Sequence, residues 1–185
     1  MKRYAVVASA LLLSMAAHAQ MYIGGAIGSS EVDSDCTLTT SCETSDTGFK
    51  IYGGYVLPHA PLPGLSLEVG YIDFGKSNAT RAFVTTTVEA SGLLFNAAMR
   101  LKFTPALSGV GRLGLAYMEG KDNGRLGLGI NPKSESDFNV YYGLGLEYSL
   151  NKQFKLTGAA DFSSYDTGNQ SGDARLLSIG LEYGF

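Results

Sequence analysis

The sequence predicts an all-β protein whose strands close into one antiparallel up-and-down barrel of eight strands. Two observations lead to this fold class. After residue 20, apolar and polar residues alternate with a period of two in eight segments, which is typical of strands with two different faces. The connections between these segments alternate between long polar stretches and short turns, which is typical of a transmembrane barrel whose two ends differ.

The first 19 residues have the pattern of a cleaved export signal, so the barrel is expected to occupy residues 20–185. Lys2 and Arg3 precede an apolar run, which ends in the small-residue sequence A-H-A before Gln20. A membrane-anchoring helix is the alternative, but it needs about 20 apolar residues, more than this run supplies. Without Lys2 and Arg3 the chain keeps 12 of its 14 basic residues against 17 acidic ones, a formal charge of −5. Neither this balance nor any basic cluster suggests nucleic acid as a partner.

The eight predicted strands run in order along the rest of the chain. Their predicted bounds are Met21 to Ser29, Gly48 to Leu57, Leu65 to Phe74, Thr86 to Leu101, Gly109 to Met118, Phe138 to Leu150, Phe154 to Ser163, and Arg175 to Phe185. Long polar loops are predicted at Ser30 to Thr47, Gly75 to Thr85, Glu119 to Asp137 and Ser164 to Ala174. The short turns, with both termini, lie at the opposite end of the barrel.

One face of each predicted strand carries bulky apolar side chains, and the other carries Gly, Ala, Ser and isolated charges. The outer face of a soluble β-sandwich would carry larger polar side chains. The interior of an eight-stranded barrel is barely wide enough for side chains, so many glycines fit there beside a few long residues. We therefore expect the bulky face to contact lipid. Its aromatic residues gather at both strand ends, as in two girdles around an apolar band about 25 Å tall.

The glycine-rich face also carries a nearly balanced set of charges, which we interpret as a salt-bridge network filling the lumen. A buried charge is costly unless it is paired, which favours this interpretation. A catalytic carboxylate pair or an ion path is the alternative, but a narrow lumen leaves no cleft for a substrate. Lys155 lies near the turn-side end of the seventh strand. The predicted network consists of Lys50, Glu68, Arg100, Arg112, Glu147, Asp161 and Glu182.

The chain has two cysteines, Cys36 and Cys42, in the first polar loop. In an exported protein an even count at short spacing predicts a disulfide, here within one loop. A metal site would need further Cys or His residues nearby, and the loop has none. No metal and no cofactor are predicted.

Three stretches resemble the OmpA-like transmembrane barrel family and its OmpX-like relatives: QMYIGGAIGSS, GFKIYGGY followed by LEVGYIDFG, and YYGLGLEYSL. The resemblance implies an eight-stranded barrel of the bacterial outer membrane with a charged lumen, onto which Lys50, Glu68, Arg100, Arg112 and Glu147 can be carried. The closing octapeptide SIGLEYGF is similar to the C-terminal signal that the barrel-assembly machinery reads. The positions that match this signal are Ser178, Gly180, Tyr183 and Phe185.

The leading functional hypothesis is a non-catalytic surface protein, whose barrel is an anchor and whose loops contact a host or environmental surface, outer-membrane lipid or lipopolysaccharide. The first and third loops are the candidates, although they could equally be solvated connectors. A lipid A-modifying barrel enzyme is an alternative. It would need an activated nucleophile, but His59, the single histidine after residue 19, lies in a proline-rich turn. A small pore is a further alternative, but eight strands enclose little open space.

Overall fold

The structure is a computed structural model that describes residues 20–32, 41–43, 45–81, 84–122, 133–166 and 171–185. Every regular element within these residues is a β-strand. The strands are β1 (Met21–Val32), β2 (Ser41–Glu43), β3 (Ser45–Val56), β4 (Leu65–Arg81), β5 (Val84–Lys102), β6 (Leu107–Asp122), β7 (Lys133–Ser149), β8 (Phe154–Asp166) and β9 (Ser171–Gly184). None of the described residues forms a helix that is long and apolar enough to span a membrane.

Eight of these strands close into a barrel in which every pairing is antiparallel. The order is β4-β3-β1-β9-β8-β7-β6-β5, and β5 pairs with β4 to close the ring. The three-residue strand β2 lies outside the ring, and its one pairing among the described residues is with the far end of β4, where Cys42 is opposite Ala79. The predicted fold class is therefore confirmed.

The stagger of the strands sets the width of the barrel. Paired residues can be followed around the ring from Tyr22 on β1, and the path returns to β1 at Val32, ten residues further along. A stagger of this size over eight strands tilts them by about 40°. Such a barrel encloses only enough space for side chains.

The two faces of the strands point as the alternation predicts. Bulky apolar side chains face outward, and Leu113, Leu144 and Ile179 are 65%, 68% and 70% exposed. Aromatic rings pair at both ends of this outward band. Phe49 and Tyr71 at the loop side have ring centroids 5.9 Å apart, and Phe154 and Tyr183 at the turn side have centroids 5.1 Å apart. An apolar surface between two aromatic girdles is what contact with a bilayer requires.

The strands extend further at the loop side than the sequence predicts. The stretch Gly75 to Thr85, predicted as a loop, is mostly strand: β4 continues to Arg81 and β5 begins at Val84. Both ends of Glu119 to Asp137 are likewise strand, since β6 continues to Asp122 and β7 begins at Lys133. Those loop predictions were wrong because strands beyond a bilayer are wetted on both faces, so they lose the apolar alternation that marks a spanning strand.

A β-bulge in β4 marks where the spanning part of that strand ends. Pairing with β5 shifts between Asp73 and Lys76, so that Phe74 and Gly75 lie opposite one residue. Gly75 has a φ of +72°, a conformation that favours glycine. The Asp73 side chain accepts a 2.7 Å hydrogen bond from the Gly75 N–H, which holds the bulge.

Two predictions fall outside the described residues. The predicted export signal, residues 1–19, is one of them. The predicted disulfide is the other, because Cys36 is not described and only the backbone of Cys42 is, within β2. Both stay predictions.

Candidate functional site

Arg100 on β5 is the centre of a hydrogen-bonded network that fills the turn-side half of the lumen. Its Nε donates to both carboxylate oxygens of Glu147 at 3.0 Å, and its Nη2 donates to Glu182 Oε2 at 3.0 Å. Its Nη1 donates to the Tyr22 hydroxyl at 2.9 Å and to Ser66 Oγ at 2.8 Å. One guanidinium thus connects side chains from four other strands, so all five of its donors can be used.

Glu68 on β4 is the second node of this layer. Its carboxylate accepts hydrogen bonds from Arg112 Nε at 2.9 Å, Asn96 Nδ2 at 2.9 Å and the Tyr22 hydroxyl at 2.8 Å. Arg100 Nη2 lies 3.4 Å from the same group. A buried carboxylate with this many donors has its lone pairs satisfied, which is the condition for a charge to be tolerated in a dry interior.

Lys50, Asp161 and Tyr141 form a separate triad above this layer. Lys50 Nζ lies 2.5 Å from Asp161 Oδ2, and the Tyr141 hydroxyl donates to Asp161 Oδ1 at 2.5 Å. All three side chains are almost fully buried. The triad is thus a buried ion pair with a tyrosine hydroxyl on the second carboxylate oxygen.

The structure brings all seven residues of the predicted network into the lumen, and Lys155 joins them. Lys155 Nζ lies 2.7 Å from Glu182 Oε1 and 3.3 Å from Glu147 Oε2. Four basic and four acidic side chains therefore meet in the described lumen, with no net charge. Lys155 has 32% of its side chain exposed, which places the wet end of the network at the turn side.

An apolar layer seals the loop-side half of the lumen, and the sequence analysis missed it. Ile72, Phe74, Leu94, Met118 and Leu176 all face inward there with at most 1% exposure. Each follows the inward register of its strand, so a search for bulky residues on the glycine-rich face near the loop-side ends could have found the layer. Together with the ionic network, it places buried side chains in both halves of the described lumen.

The filled lumen leads to an expectation about conductance. In planar bilayers, the protein is expected to show no steady unit currents, because a path for ions would have to displace both the apolar layer and paired charges. Protease resistance of the barrel in the same lipid would verify insertion. Steady unit currents from inserted protein would contradict the sealed lumen.

The other residues singled out from sequence lie apart from this network. Ser178 and Gly180 face the lumen on β9, while Phe185 follows the end of that strand and packs its ring against Tyr183 at 5.2 Å. His59 is exposed in the turn between β3 and β4. Among the described residues, no three His, Cys, Asp or Glu side chains are grouped so that they could hold a metal ion.

A closed eight-stranded barrel with an apolar outer band, two aromatic girdles and a filled ionic interior defines a transmembrane β-barrel protein. The chain belongs to the outer membrane protein beta-barrel domain family, whose model matches residues 5–185. The predicted family resemblance is confirmed at this level. No curated protein sequence matches the chain.

Solved structures with the same fold come from several bacterial outer membranes. Neisserial surface protein A is 15% identical with a TM-score of 0.63, and the match covers 89% of this chain and 97% of that one. Ail, the attachment invasion locus protein of Yersinia pestis, is 16% identical with a TM-score of 0.59, covering 90% and 98%. The outer membrane protein OprG of Pseudomonas aeruginosa is 14% identical with a TM-score of 0.56, covering 90% and 96%. At these identities the similarity shows the shared fold alone.

Proposed function

We propose that the protein is a non-enzymatic barrel of the bacterial outer membrane, which anchors an extracellular sheet and its loops for contact with another surface. The observation that carries this proposal is the asymmetry of the barrel. Its interior is filled, so the lumen offers neither a pore nor a cleft, whereas four neighbouring strands continue past the apolar band at the loop side. A rigid scaffold that raises polar segments above a membrane is a common arrangement for recognition.

The extracellular sheet consists of the loop-side ends of β4, β5, β6 and β7, with β2 at its edge. The pairing of β4 with β5 continues to Arg81 opposite Val84, and that of β6 with β7 continues to Asp122 opposite Lys133. At the base of this sheet, Lys76 and Glu89 are opposite each other on neighbouring strands, and their side chains form a salt bridge of 2.9 Å on the outer face. The hydrogen bond to Glu89 and the charge of its carboxylate raise the pKa of Lys76. From Lys76 to the tip, β4 rises by roughly 15 Å.

The supporting observations weigh against the two alternatives. A lipid A-modifying enzyme of the serine–histidine type would need His59, which is exposed in a turn at the opposite end from the loops. A pore would need an open lumen. We therefore keep the non-catalytic anchor as the function, with three classes of partner: a host or environmental surface ligand, lipopolysaccharide with other outer-membrane lipid, and the barrel-assembly machinery. The last would bind the unfolded chain through the C-terminal residues Ser178, Gly180, Tyr183 and Phe185.

Shortening the β4–β5 hairpin tests this function. Replacement of residues 77–88 by Asn-Gly, a two-residue turn suited to a hairpin, keeps the barrel and the Lys76–Glu89 pair. Cells that display this variant are expected to lose most of their adhesion to a panel of host-cell and matrix surfaces, measured at equal surface density of the protein.

The matched control is a deletion of residues 59–62 in the turn at the other end of the barrel, which should adhere like the unaltered protein. Adhesion by the unaltered protein that is no greater than by cells without the barrel would contradict the proposed function.

A further inference from the structure

A groove of about 670 Å³ lies on the outer wall of the barrel and runs across the strands from β8 to β5. Phe154 and Tyr183 of the turn-side girdle form one end of it. Glu182 also borders the groove, but its side chain points into the lumen with 1% exposure and puts no charge on this surface. The outward side chains along the groove are all apolar or aromatic: Ile23, Ile51, Val69, Tyr71, Leu93 and Leu181.

Two outward glycines give the groove its depth, Gly25 on β1 and Gly53 on β3. The barrel itself does not require glycine at either position, because neither has a positive φ and an added Cβ would meet nothing nearer than 3.8 Å. The inward glycines of the same wall differ, since a Cβ at Gly24 would overlap the Tyr52 ring. Glycine weakens a strand and often marks a place where a ligand approaches the backbone closely. These two positions therefore point to an occupant on the lipid side of the wall.

The position and length of the groove fit one hydrocarbon chain from the turn-side leaflet. Gly53 is the next outward residue to Tyr55, which lies at the turn-side end of β3, so the deepest part is in the turn-side half of the apolar band. Five strand spacings separate β8 from β5, so the groove is roughly 24 Å long. On strands tilted by about 40° it rises by roughly 15 Å, which is about half of a hydrocarbon core ~30 Å thick.

Polar groups begin where the groove meets the turn-side girdle. The Tyr183 ring packs against Phe154, and its hydroxyl accepts a 3.3 Å hydrogen bond from Gln153 Nε2 in the turn between β7 and β8. Interfacial tyrosines lie at the level of lipid headgroups, with the ring in the apolar layer and the hydroxyl in the polar one. A lipid whose chain follows the groove therefore has its headgroup at this end.

A second copy of the barrel fits the groove less well than a flexible chain does. Copies in one membrane have the same orientation, so a two-fold axis between them would lie along the membrane normal. The groove is inclined by about 50° to that normal, because it runs across strands tilted by about 40°. Face to face, the grooves of two copies would cross at roughly 80°. The rows of side chains beside one groove could not then enter the other.

We propose that the groove across Gly25 and Gly53 binds one acyl chain of a phospholipid from the turn-side leaflet, with the headgroup beside Tyr183. A chain in the groove contacts protein on its two flanks and its base, whereas a chain elsewhere on the outward face contacts protein on one side only, which favours the groove. This inference rests on the membrane placement in the proposed function, but not on surface binding by the β4–β5 hairpin.

The test uses the full barrel in nanodiscs of phosphatidylethanolamine and phosphatidylglycerol. A minor fraction of the phosphatidylethanolamine carries a photoreactive diazirine midway along one acyl chain, and labelled positions are mapped by mass spectrometry of peptides after illumination. The variant G53L fills the groove. G158L is the matched control, because Gly158 faces outward opposite Ile179 and a Cβ there meets nothing within 4 Å. Heat-dependent gel mobility verifies that each variant folds.

In the unaltered protein and in G158L, labelling at Ile51 and Val69 is expected to exceed that at Leu115 and Leu146 on the opposite wall by about fivefold, although all four side chains are similarly exposed. G53L is expected to lose this excess. Even labelling around the wall of the unaltered protein, or an excess that persists in G53L, would overturn the proposal.

Barrel dimers that form in the nanodiscs and are abolished by G53L would also overturn it, because they would assign the groove to a second copy. Adhesion by cells that display G53L should equal that by cells with the unaltered protein. Loss of the labelling excess with normal adhesion, and loss of adhesion with a normal labelling excess, therefore distinguish failure of this proposal from failure of the proposed function.

Discussion

Replacing Arg100 with methionine is expected to lower the free energy of unfolding by about 3–5 kcal/mol. The substitution keeps most of the side-chain volume but removes the donors that face Glu147, Glu182 and the Tyr22 hydroxyl. The two carboxylates would then have Lys155 as their main cation, at the wet end of the network. An uncompensated charge in a dry interior costs far more than the loss of an exposed pair.

Arg175→Met is the control for this prediction, because it removes an arginine whose ion pair with Glu31 is on the outer surface. Exposed pairs contribute about 0–1 kcal/mol, so the control is expected to unfold close to the unaltered protein. The measurement is reversible urea unfolding in lipid vesicles, followed by gel mobility. Equal losses in the two variants would show that the lumenal network does not stabilise the barrel.

Replacing Gly28 with valine is expected to cost about 3 kcal/mol or to prevent refolding altogether. Gly28 faces the lumen on β1, and a Cβ there would overlap the carbonyl oxygen of Leu177 and lie 2.6 Å from Ser178 Cα. Both are backbone atoms of the neighbouring strand β9, so β1 and β9 would have to separate. The substitution therefore weakens the pairing between the first strand of the barrel and its last strand.

Gly25→Val tests the same substitution three residues earlier on the same strand. Gly25 faces outward, and a Cβ there meets nothing nearer than 3.9 Å. Its effect is expected to stay within about 0.5 kcal/mol of zero. Refolding yield and urea midpoints of both variants give the comparison, and a Gly28→Val barrel as stable as Gly25→Val would show that close strand approach is not what requires the glycine.

The sequence predicted the class of fold and the direction of each strand face, because both depend on local patterns. One can recognise these patterns without knowing which residues meet across the barrel: the alternation with a period of two, the alternation of long loops with short turns, and the aromatic residues at the strand ends. The inward positions of Lys50, Arg112 and Glu182 follow from the same local alternation.

Which charges meet could not be predicted, since that depends on the stagger. Arg112 on β6 reaches Glu68 on β4, two strands away, and Lys50 on β3 reaches Asp161 on β8. If the stagger were larger or smaller by two residues, each side chain would still point to the same face of its strand, but it would meet different side chains across the lumen. The apolar layer around Phe74 was missed for a different reason: bulky residues on both faces of a strand end remove the contrast on which the alternation depends.

The spread of the Arg100 partners over four strands affects how the chain inserts into the membrane. Its partners lie on β1, β4, β7 and β9, so its full set of hydrogen bonds forms only when the first and last strands are both in place. An intermediate without β9 would lack Glu182, which accepts from Arg100 and pairs with Lys155, so its lumenal charges would no longer balance. The closed ring is therefore favoured over a barrel that lacks its last strand, which favours insertion of the strands as one unit.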